Sequence, residues 1–103
     1  MKKNNKNITM LFTEEHYGKT ISEALSAYLK RFTSTNDLAT AASRTSVSPS
    51  TAKGVVYRQN SLTEHNSKAI IELMKIAVEN RKNNVEYENT LIKEVEQETG
   101  LTL

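Results

Sequence analysis

The sequence predicts an all-α fold, a compact bundle of about five helices in one domain, on three observations. Apolar residues recur three and four positions apart in successive stretches, the helical period rather than the alternation of a strand. One Pro and three Gly in 103 residues are too few for a turn-rich β architecture. Leu, Ile, Val and Phe supply 23 residues, just above the roughly 20% below which highly charged chains stay unfolded. A net charge of +2 adds little self-repulsion. The expected core is lean, which suits helices that each bury one stripe.

Residues 1–12 read as a basic, partly disordered N-terminal arm carrying Lys2, Lys3 and Lys6. Its Ile8–Phe12 end fits a short strand or the lead-in to a helix. That apolar run of five residues is shorter than the roughly 7–15 of a signal peptide, and nothing approaches the ~20 of a membrane span. A cytoplasmic protein is expected. The first helix is predicted over about 20–32: Thr20 and Glu23 have capping-box spacing, and Ile21, Leu25, Tyr28, Leu29 and Phe32 share one face. The run Thr33-Ser34-Thr35-Asn36-Asp37 then offers several N-caps. Leu38, Ala41, Ala42 and Thr45 form the slim face of a second, short helix.

Ser48-Pro49 is a cap followed by proline at the first helical position, which starts a third helix over 48–58. Ala52, Val55 and Val56 form its inner face, and Ser50, Lys53, Gly54 and Tyr57 its outer one. Thr63 caps a fourth helix over 64–80, with Glu64 near its positive end. Apolar residues from Ile70 to Val78 cover most of its circumference, so it should lie at the centre of the bundle. Asn83-Asn84 is expected to break the chain before a fifth helix at 85–98, whose thin stripe is Val85, Leu91, Ile92 and Val95. Gly100 closes it. The expected organisation is an arm at 1–12, a domain at 13–82 and a C-terminal helix within 83–103 that could dimerise.

The residue inventory removes most chemistry. Without Cys there is no thiolate metal site, disulfide or cysteine nucleophile. His16 and His65 stand far apart, neither in metal-ligand spacing, and no Walker, Rossmann or nucleophile-elbow pattern occurs. The chain is expected not to be an enzyme, with no cofactor, metal, membrane or small-molecule partner.

Residues 38–57 carry the functional signal. Two short helices joined by a three- or four-residue turn are what a helix-turn-helix requires. Ala41, Ala42 and Ala52 allow the close crossing, Val47 fills the corner and Val55 anchors the second helix. The opposite face of that helix is then available to a major groove. Ser48, Pro49, Ser50, Lys53, Gly54 and Tyr57 are the candidate DNA-binding residues, with Gly54 permitting close approach to the DNA backbone. Arg44 and Arg58 would flank the groove and hold phosphates, contacts that position without specifying. Residues 1–79 hold 11 Lys and Arg against 7 Asp and Glu, and residues 80–103 hold 3 against 5. The basic surplus therefore lies in the body.

This segment resembles the helix-turn-helix of phage-repressor-like (lambda-repressor-like) regulators, through Ala42 in the first helix, Val47-Ser48 closing the turn and Ser50-Thr51 opening the second helix. The resemblance covers about residues 20–80. It implies an all-helical domain without a β-wing, a recognition helix at 48–58, double-stranded DNA as partner and a role as a small transcriptional regulator. Three positions depart from it: Ser46 stands where the turn usually has Gly, Thr45 where an apolar residue is usual, and Gly54 lies inside the recognition helix at a cost of about 1 kcal/mol against Ala. A homodimer reading half-sites about 34 Å apart is expected, because one such module buries little surface. The contrasting expectation is a helical protein–protein interaction module that does not touch nucleic acid.

Overall fold

Four helices make up the structure, a computed structural model that describes residues 12–103. They are α1 (Glu23–Phe32), α2 (Thr35–Thr45), α3 (Pro49–Val56) and α4 (Glu64–Thr99), preceded by a single 3-10 turn at Glu14–His16. No strand occurs among the described residues. The basic arm, apart from Phe12, lies outside them; Phe12 packs on the edge of the core.

Every helix opens on a hydroxyl. Ser22, Ser34, Ser48 and Thr63 each accept a hydrogen bond from the backbone N–H three residues on, satisfying a donor that the first turn leaves orphaned. At Ser34 and Thr63 the bond is reciprocated by Asp37 and Asn66. The cap of α1 is thus Ser22 rather than Thr20, and Glu23 is the first helical residue. Thr20 is drawn elsewhere: its hydroxyl accepts from the Arg58 guanidinium at 3.3 Å.

Helices α2 and α3 end in the same way. At the end of α2, Val47 N–H reaches Ala42 O at 3.0 Å and Ser46 N–H reaches Ser43 O at 3.4 Å. At the end of α3, Gln59 N–H reaches Gly54 O at 2.8 Å and Arg58 N–H reaches Val55 O at 3.1 Å. Both are Schellman pairings, which need a left-handed residue. Ser46 (φ 59°) and Arg58 (φ 60°) occupy those positions without being glycine.

The core forms where α4 packs on the other three helices. Leu29, Val55, Leu62, Ile70 and Leu73 are its largest fully buried side chains. A second cluster of Ala42, Val47, Ala52 and Ala69 fills the contact among α2, α3 and α4 with small groups. Polar ties also join segments distant in sequence. Ser26 Oγ donates to Val56 O at 2.5 Å, Asn80 Nδ2 donates to Phe32 O at 2.8 Å and to Asp37 at 3.0 Å, and Leu62 N–H donates to Lys19 O at 2.8 Å.

The expected break at Asn83-Asn84 does not form; α4 runs unbroken through it, so there are four helices, not five. The boundary expected at 82–83 falls inside a helix. Asn is only a weak helix former, and a lasting break needs Pro, Gly or a competing cap. No Pro or Gly stands between Glu64 and Thr99. The helix stops at Gly100, which takes the left-handed φ of 74° that its sequence position suggests.

Candidate nucleic-acid interface

Helix α3 is held by its inner side. Ala52, Val55 and Val56 are buried, while Pro49, Ser50 and Lys53 are exposed. Three residues, Ser46, Val47 and Ser48, join α2 to α3. Val47 is buried, and Ser46 supplies the reversal through its left-handed backbone. Thr45, anomalous for an apolar position, satisfies its hydroxyl on Ala41 O at 2.8 Å.

The leading end of α3 is a cluster of hydroxyls. Ser48 Oγ accepts from Thr51 N–H at 3.1 Å, donates to Thr51 Oγ1 at 2.7 Å and stands 3.5 Å from Ser50 Oγ. Ser48 is thereby committed to the cap, and Ser50 and Pro49 form the outer surface. At the other end, Tyr57 is 49% exposed. Its ring has the Lys30 ammonium 5.1 Å from its centroid and the Lys53 ammonium 5.8 Å from it. Two cations thus sit around one half-exposed aromatic, an arrangement that favours the ring's present orientation.

Beside this pair a cleft of about 410 Å³ opens between α1, α2 and α3. Lys30, Thr33, Ser34, Lys53 and Tyr57 supply its polar lining, over a floor that includes Leu38 and Leu73. None of its lining residues is acidic. The first turn of α2 borders it, but Asp37 in that turn, its carboxylate accepting from Ser34 N–H at 2.9 Å, offsets the positive end of the helix's dipole, so the two ammonium groups are the cleft's positive charge.

Three of the residues expected at the interface have partners within the chain. Gly54 is buried rather than outward-facing: a Cβ there would meet the side-chain amide of Asn60. The turn after α3 folds back over this face, with Gln59 and Asn60 N–H both on Gly54 O, so the Asn60 side chain lies against Gly54. Arg58 turns inward, donating from Nε to Ile21 O at 2.7 Å and pairing weakly with Glu23 at 3.5 Å. Arg44 is paired with Glu72 at 2.8 Å. This is a surface pair, and the Arg44 side chain stays more than half exposed. Conversely, Lys30, on the polar side of α1, had no local signal in the sequence. Only the packing of α1 on α3 brings it to Tyr57.

His16 closes a small cap, its Nδ1 accepting from Thr13 N–H at 3.0 Å, and His65 is exposed in the first turn of α4. Among the described residues, no group of three His, Cys, Asp or Glu is placed to hold a metal ion. Nor is any helix there long and apolar enough to cross a membrane. No protein-family model matches the sequence, and no curated protein or solved structure matches it either.

Proposed function

We propose that the chain is a sequence-specific DNA-binding protein in which α2, the turn at 46–48 and α3 act as a helix-turn-helix, and that it serves as a small transcriptional regulator in the cytoplasm. The observation that carries this reading is the exposed side of α3. Ser50 and Lys53 stand outward on a helix whose other side is locked into the core, and Tyr57 stands outward just past its end. A short helix so anchored is what major-groove insertion uses. The left-handed backbone at Ser46, where the repressor-like turn usually has Gly, also supports it.

In this reading Ser50 and Lys53 meet base edges and Tyr57 lies against the sugar–phosphate backbone. Lys30 and Lys53 hold phosphates. A lysine can also hydrogen-bond to guanine O6 and N7, so Lys53 is the residue best placed to specify sequence. Arg44 and Arg58 keep their internal partners and do not contribute. With those two charges withdrawn the basic face is modest, which favours a rival reading, a helical protein–protein interaction module without nucleic-acid binding.

Fluorescence anisotropy with labelled duplex DNA across a salt series separates the two. Expected is binding that weakens steeply with salt, each lysine on a phosphate adding about one to the slope. Lys53→Glu and Lys30→Glu should abolish it while the circular dichroism spectrum is unchanged, since both side chains are exposed. No affinity for any duplex at low salt, or full affinity in Lys53→Glu, refutes the DNA reading and leaves the interaction module.

A further inference from the structure

Helix α4 outruns the bundle. Every residue from Arg81 to Glu94 is exposed, so the last 19 residues project by roughly 28 Å at 1.5 Å per residue, and the molecule's longest extent is 55 Å. No other part of the bundle packs against this stretch. It nevertheless carries apolar groups in a line: Val78, Val85 and Ile92 are seven residues apart and 39%, 44% and 42% exposed, with Leu91 and Val95 beside them. A repeat of seven is the spacing at which one helix meets another along its length.

Charge selects the occupant. Arg81 and Lys82 stand at the base of the projection, and Glu94, Glu96 and Glu98 near its tip. A second copy laid parallel would set Arg81 and Lys82 against their own counterparts, and the glutamates against glutamates. Reversed about a two-fold axis between Val85 and Ile92, each copy's basic base faces the other's acidic tip, and Val85 meets Ile92 of the second copy. We infer that residues 81–99 form an antiparallel two-helix pair with the same segment of a second copy of this chain. The pairing does not depend on the DNA-binding reading. Glu88 falls beside the axis in both copies, and that repulsion weakens the association.

Sedimentation equilibrium of the full chain tests this. A reversible monomer–dimer equilibrium is expected, weakened about tenfold or more by Arg81→Glu with Lys82→Glu, since four exposed charge pairs per dimer turn repulsive. Glu96→Lys with Glu98→Lys should weaken it similarly, and mixing the two variants should restore association. These side chains touch none of the bundle's core; unchanged helix content by circular dichroism verifies that. The chain has no native Cys, so single spin labels on Thr90→Cys or Thr99→Cys report direction. Antiparallel packing predicts a separation of roughly 10 Å at 90 and roughly 30 Å at 99. A monomer at all concentrations, no restoration on mixing, or equal distances at both positions overturns the proposal.

Discussion

Replacing Ser46 by glycine should stabilise the protein, and replacing Arg58 by glycine should not, although both residues have nearly the same backbone angles. A left-handed conformation costs an L-residue about 1–2 kcal/mol, and glycine removes that cost. Glycine also loosens the unfolded chain, which takes back about 0.4–1 kcal/mol. Ser46 is exposed and its hydroxyl makes no hydrogen bond among those seen, so nothing else is lost. The net expectation for Ser46→Gly is a gain of about 0.5–1 kcal/mol, or roughly 2–6 °C in Tm. A β-branched residue forced into the same backbone, Ser46→Val, should lose about 1–2 kcal/mol. Arg58→Gly receives the same relief but gives up the bond from Nε to Ile21 O. A charged donor on a partly buried carbonyl is worth about 1.5–3 kcal/mol, so the net is a loss of about 1–2 kcal/mol. Arg58→Ala, with no relief, should lose more than Arg58→Gly. Urea unfolding followed by far-ultraviolet circular dichroism, at one protein concentration because association shifts apparent stability, gives the values, and an unchanged m-value assigns them to stability. A Ser46→Gly protein no more stable than the parent, or an Arg58→Gly protein that is more stable, would show that these turns are not shaped as described.

Two further outcomes follow from the packing. Leu29 is fully buried at the α1–α4 contact, and Leu29→Ala should lose about 2–5 kcal/mol through transfer and cavity terms, read in the same urea experiment. Asn80→Ala removes two hydrogen bonds and leaves Phe32 O without that donor, a loss of about 1–2 kcal/mol. Asn80→Asp, of the same shape but with a carboxylate set against Asp37, should be worse than the alanine; equal stability of the two would show that Asn80 does not bridge these groups.

How far the sequence can be read depends on the range of the interaction concerned. Ser48-Pro49 and Thr63 announce their helices because capping is a contact across three residues, visible in the order of the chain. The apolar face of α1 was visible for the same reason: Leu29 is buried, with Leu25, Tyr28 and Phe32 packed at the margin, while Ile21, also buried, lies just before the cap. Thr20 misled because it has a cap's spacing to Glu23 but a hydrogen bond to Arg58, 38 residues away. Arg44 and Glu72, 28 residues apart, find each other only when α2 lies on α4. Gly54 misled in another way. Ser50, Gly54 and Tyr57 would share a face on a continuing helix, but α3 stops at Val56 and the returning turn covers Gly54 with Asn60. Asn83-Asn84 suggested a break that would have needed a backbone alternative, and neighbours of ordinary helical preference offer none.

Helix α4 also acts as a ruler. Its buried residues, from Asn66 to Ala77, are fastened to the three other helices, and its far end is the same rigid element, without a glycine or proline between them. Each residue inserted beyond Asn80 would carry the tip 1.5 Å outward and turn it by about 100°. Length and rotational phase at the tip are therefore written into the number of residues between the bundle and Thr99, not into any contact. Whatever grips the tip is held at a fixed distance and bearing from α3, so the chain's two exposed surfaces are geometrically coupled while remaining chemically separate.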